Sequence, residues 1–89
     1  MGVAALQIKV MPSSEADLTK LEEKIRINLE KAGAIRVTIE IQEVAFGLKA
    51  MIVTIAWPEQ KDTDEAEKAI QEIEEVSSLD VVDYRRAFG

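Results

Sequence analysis

Two strongly β-patterned segments joined by a short hinge constrain this chain more than anything else in it. Ile35, Val37, Ile39 and Ile41 alternate with Arg36, Thr38, Glu40 and Gln42, the two-residue period of a half-buried strand. From Leu48 to Trp57 the chain is nearly continuous in apolar residues, which suits a strand with neighbours on both sides. Between them lies Val44-Ala45-Phe46-Gly47-Leu48, where Gly47 can take the positive φ that a tight reversal needs. The spacing predicts an antiparallel hairpin with Phe46 at its turn, near solvent. Glu43 breaks the alternation begun at Ile35, so a bulge or strand end is expected near Gln42-Glu43.

The flanking segments complete a pattern. A first strand is expected from about Val3 to Met11, with Ala4, Leu6, Ile8 and Val10 on one face and Pro12 as its stop. Ser14 or Asp17 can cap a helix whose stripe is Leu18, Leu21, Ile25, Leu29 and Ala32, and Gly33 can end it. After Trp57-Pro58 a polar connector leads to a second helix, with Asp62 and Glu65 as a capping-box variant and Ala66, Ala69, Ile70, Ile73 and Val76 as its stripe. A last strand, Leu79 to about Arg86, mixes apolar residues with Asp80 and Asp83, as suits an edge.

The order β-α-β-β-α-β is the split pattern of the ferredoxin-like fold, an α+β sandwich with two helices on one face of a four-stranded antiparallel sheet. In that arrangement the first and third strands are central and antiparallel to the outer two. Met51, Val53 and Ile55 should face the helices, while Leu48, Ala50 and Ile52 lie on the open side as an apolar row that invites a partner. A dimer through that face, or tolerated surface apolar residues, fits the same row equally well.

At 89 residues the chain is expected to form one domain over 1–89. It has neither cysteine nor histidine, which removes thiol chemistry, the usual zinc ligands and imidazole acid/base catalysis. No metal, cofactor or catalytic residue is therefore assigned. The net charge of −6 argues against a phosphate-tracking surface and for a basic protein as partner. The apolar runs are shorter than a membrane span and no signal-peptide pattern opens the chain, so a cytoplasmic protein is expected.

Most carboxylates recur at helix spacing, which solvation explains. An acylphosphatase-like site would need a basic phosphate-cradling loop after the first strand, and Met11-Pro12-Ser13-Ser14-Glu15 has no basic residue. RNA binding on this topology uses aromatic residues on central strands, where this chain has Leu48, Ala50 and Ile52. Two features remain: Phe46 at the hinge and the pair Arg85-Arg86. Taken by themselves, Phe46 folding back on the core and Arg85-Arg86 keeping an edge strand soluble are the simpler explanations.

Three segments alter that weighing. Ile8-Lys9-Val10-Met11-Pro12, the hinge Val44-Ala45-Phe46-Gly47-Leu48 and the ending Asp80-Val81-Val82-Asp83-Tyr84-Arg85-Arg86 resemble archaeal translation elongation factor 1-beta over essentially the whole chain. The hinge is the most specific of the three. The resemblance implies the ferredoxin-like fold and guanine nucleotide exchange on elongation factor 1-alpha, the GTPase that carries aminoacyl-tRNA, by binding rather than covalent chemistry. In eukaryotic relatives the hinge aromatic enters an apolar pocket of the GTPase and a lysine near the C-terminus intrudes on its Mg²⁺ site. By position these become Phe46, flanked by Gly47 and Leu48, and Arg86, with Arg85 in its place if the register differs by one. On the residues alone, a small-molecule-binding regulatory or assembly module of the same fold is the alternative.

Overall fold

The computed structural model describes residues 2–86, and the order of its elements follows from where the side-chain period changes. They are β1 (Val3–Pro12), α1 (Leu18–Ala32), β2 (Arg36–Glu43), β3 (Lys49–Pro58), α2 (Thr63–Gln71) and β4 (Val76–Arg86). Asp17 starts α1: its carboxylate accepts the backbone N–H groups of Thr19 and Lys20 at 3.1 and 3.3 Å, which would otherwise be unpaired. Gly33 ends it at φ 120°, a conformation that a β-carbon disfavours, and its N–H reaches the Leu29 and Glu30 carbonyls.

The sheet order is β2-β3-β1-β4, with every neighbouring pair antiparallel. The two central strands are therefore antiparallel to each other as well, so β1 runs against β4 but in the same sense as β2. Leu6, Ile8 and Val10 of β1 and Met51, Val53, Ile55 and Trp57 of β3 point to one face and are buried there with Leu21, Ile25 and Leu29 of α1 and Ala66, Ala69 and Ile70 of α2. Both helices thus cover the same face. Burying one such aliphatic side chain stabilises by about 1.5–3 kcal/mol, so this one layer dominates the fold. Asn28 locks the helices together by donating to the Ala69 carbonyl at 3.0 Å. Trp57 is the largest fully buried side chain, and its indole N–H has no partner among the described residues. Leaving that donor unpaired costs about 1–3 kcal/mol, which the burial of the ring offsets.

Three expectations change. α2 stops at Gln71, so Ile73 lies in the following turn and Val76 opens β4 instead of extending the helical stripe. Asp62 caps α2 by accepting the Asp64 N–H at 3.0 Å, but Glu65 does not reach back; its carboxylate meets Lys61 instead. Strand β2 does end at Glu43, as expected, through a strand end and not a bulge; the register shifts fall between β1 and β4. Lastly, the open face is not an apolar row. Leu48 belongs to the turn, Ala50 is fully buried, and Ile52 sits half-buried with Thr54 and Ala56 along the strand. Ala50 pairs with Gln42 and is next in line to Met11, so longer neighbours flank a single methyl.

Candidate partner-binding site

The hinge is built by its backbone. Val44 N–H bonds the Leu48 carbonyl at 2.9 Å and Leu48 N–H bonds the Ala45 carbonyl at 2.9 Å, closing a turn around Phe46 and Gly47. Both central residues have positive φ, 53° at Phe46 and 75° at Gly47, the sign pattern of a type I′ turn, whose twist matches a right-handed hairpin. Glycine takes this conformation freely. A bulky side chain does not, and the left-handed region costs it about 1–2 kcal/mol. Phe46 is nevertheless fully exposed, with Val44 and Leu48 half-exposed on either side. Beneath it runs a shallow groove lined by Met11, Pro12, Ala16, Leu18, Leu48 and Lys49. The backbone is strained to present an aromatic ring that buries nothing in the free protein.

The C-terminal arginines lie elsewhere. Arg85 pairs with Ala5 and Arg86 with Ala4, so they point to opposite faces of the sheet, Arg85 to the open side and Arg86 to the helix side. A bulge decides this. Gln7 pairs with Asp83 and Ile8 with Val81, leaving Val82 over, whereas uninterrupted pairing would set Arg85 opposite Ala4. Arg85 Nε lies 3.0 Å from Asp83 Oδ2, and Arg86 Nε lies 3.6 Å from Glu59 Oε1. The pairing with Glu59 could not be read from the chain, because it depends on which residue the bulge skips. Residues 87–89, expected to be mobile until bound, lie outside the described residues.

Phe46, Gly47 and Leu48 are thus brought together, and Arg85 and Arg86 are not brought to them. Arg86 sits level with Trp57, about nine residues of strand from the hinge, which at ~3.3 Å per residue is about 30 Å. The molecule is 42 Å long, so the two features occupy its ends. Among the described residues, no group of three or more acidic side chains could hold a metal ion, and no helix is long and apolar enough to cross a membrane. Charge is lopsided too: residues 59–75 carry eight carboxylates against two lysines, a surplus equal to the net charge of the whole chain, −6. The hinge lies outside that acidic segment, whereas Arg86 meets its first carboxylate, Glu59.

The molecule thus carries an exposed, strained aromatic at one end and an exposed guanidinium at the other. The model of the EF-1 guanine nucleotide exchange domain matches residues 5–87. Elongation factor 1-beta of Methanosarcina barkeri is 40% identical over 88 residues, covering 97% of this chain and 99% of that one. The proteins of the same name from Sulfolobus acidocaldarius and Methanocaldococcus jannaschii are each 40% identical, over 82 and 86 residues, covering 89% and 93% of this chain and 90% and 96% of theirs. The chain belongs to the elongation factor 1-beta family. Its function is guanine nucleotide exchange, and it is not an enzyme. A regulator of polyketide synthase expression from Bifidobacterium adolescentis shares the fold, with a TM-score of 0.67 at 15% identity over 98% of this chain and 34% of that one.

Proposed function

We propose that the GTPase served is elongation factor 1-alpha, and that Phe46 docks on it while Arg86 acts at its Mg²⁺ and phosphate site. The observation that carries this reading is Phe46: fully exposed at φ 53°, it holds an unfavourable backbone conformation that gains the free protein no burial. Gly47 and Leu48 complete the contact, one by completing the turn and the other by its half-exposed side chain. An exchange factor must bind the nucleotide-free GTPase more tightly than the nucleotide-bound one, since only that difference shifts the equilibrium. Burying an aromatic anchor supplies about 2 kcal/mol or more of docking energy. A guanidinium brought near Mg²⁺ opposes it by charge and can bond the carboxylate or phosphate oxygens it leaves. Arg85, on the other sheet face and 3.0 Å from Asp83, is the weaker candidate for that role. Membership of a translation-factor family supports a cytoplasmic site of action.

The test is release of labelled GDP from elongation factor 1-alpha by a catalytic amount of the protein. Arg86→Ala should slow release more than it weakens the complex with nucleotide-free GTPase, and the deficit should shrink once EDTA has removed Mg²⁺. Equal release by wild type, Arg85→Ala, Arg86→Ala and the double variant would end the assignment of the arginines. Absence of release from elongation factor 1-alpha, with release from another GTPase, would end the assignment of the partner.

A further inference from the structure

We propose that Glu59 is a positioning residue for exchange, whose carboxylate holds the Arg86 guanidinium at the end of β4 and leaves the rest of its fork open to an anionic acceptor. This rests on the reading of Arg86 just given. Arg86 Nε lies 3.6 Å from Glu59 Oε1, and the two side chains are unequally held: Arg86 is 79% exposed and Glu59 only 24%. The Glu59 backbone N–H donates to the Gly2 carbonyl at 3.1 Å, which ties the β3–α2 connector to the start of β1. Its carboxylate then lies over Gly2, where a β-carbon would fall 1.9 Å from Oε2 and 2.5 Å from Cδ. A β-carbon at position 2 would push that carboxylate, the free end of a flexible side chain, out of its place. Glu59 is thus the anchored partner and Arg86 the arm it steadies.

The chemistry follows from the contact. A guanidinium carries five N–H donors, and the ion pair runs through Nε, so the two terminal nitrogens keep their donors for a phosphate or carboxylate oxygen. An arm held at one edge loses less freedom when the other edge engages. The hold is weak, as release demands: an exposed ion pair is worth about twofold to fivefold in an equilibrium constant.

The experiment follows release of fluorescent GDP from the GTPase at increasing concentrations of wild type, E59Q, G2A, R86A and E59Q/R86A, with thermal unfolding measured for each. E59Q should lower the maximal rate about twofold to fivefold and leave the half-saturating concentration unchanged, because docking occurs at the other end of the molecule. G2A keeps the carboxylate but displaces it, and should lower the maximal rate in the same direction. In the R86A background E59Q should add nothing, which a merely structural role would not produce. A rise in maximal rate with E59Q would show that Glu59 sequesters Arg86, and an equal loss in the R86A background would show that it acts on something else; either overturns the proposal. If R86A slows release while E59Q matches wild type, the positioning role alone falls. If R86A itself releases GDP at the wild-type rate, the assignment of Arg86 falls first and this proposal falls with it.

Discussion

Phe46 costs the free protein something and returns nothing to it. Its φ of 53° is unfavourable for a bulky residue and its ring is fully exposed. Phe46→Ala should therefore weaken the complex with the GTPase by about 2 kcal/mol while leaving chemical denaturation within about 0.5 kcal/mol of wild type. Phe46→Gly goes further. It should raise unfolding stability by up to about 1 kcal/mol, because glycine accepts the turn conformation, and lose binding as alanine does. A large loss of stability in either variant would place the ring in the core after all. Gly47 supplies the complementary case: a β-carbon there meets nothing within 4 Å, so Gly47→Ala should cost about 1 kcal/mol through φ alone.

The helices stabilise through one stripe each. Ile25 of α1 is fully buried, and Ile25→Ala should destabilise by about 2–5 kcal/mol in urea unfolding, whereas Ile27, 48% exposed two residues on, should give about 0.5 kcal/mol or less. Equal costs would mean that α1 is rotated about its axis. The turn after α2 is tied to α1 by Lys24, whose ammonium bonds the Glu75 carboxylate. That bond, then a backbone hydrogen bond, hold the Glu75 carboxyl below its ordinary value of 4.5. A depressed folded value stabilises above 4.5 and loses its effect as pH falls through the lower folded value. Thermal melts of Glu75→Gln should accordingly lie slightly below wild type near neutral pH and converge with it in acid. Curves that stayed parallel throughout would show that the pair contributes nothing to stability.

Over the whole molecule the two candidate contacts are separated by the full length of the sheet. Sites about 30 Å apart that share no neighbouring residue within the chain should be energetically independent. The losses in exchange efficiency from Phe46→Ala and Arg86→Ala, each expressed through kcat/KM, should add within about 0.5 kcal/mol in the double variant. Strong non-additivity would mean that the GTPase couples the two ends through its own change of shape. If Phe46 and Arg86 act on one GTPase as proposed, that partner must reach both ends or move between them.

The spacing of apolar residues was enough to set six elements in order and the hairpin, with Gly33 and either Ser14 or Asp17 as caps, because these depend on interactions within a few residues of chain. The exposure of Phe46 was not, since folding back on the core was the simpler reading of the residues alone. Short-range information also has an end. The period of α2 continues through Ile73 and Val76, yet the helix stops at Gln71, since Val76 is drawn into pairing with Pro12 far away in the sequence. Ala50 looked like part of an open apolar face and is buried only because the sheet sets Gln42 and Met11 on either side of it. Of two adjacent arginines, nothing local says which faces the helices. The structure settles it with one unpaired residue, Val82: straight pairing would set Asp83 opposite Leu6 on the apolar face, and the bulge sets Tyr84 there instead, leaving Arg86 beside Glu59.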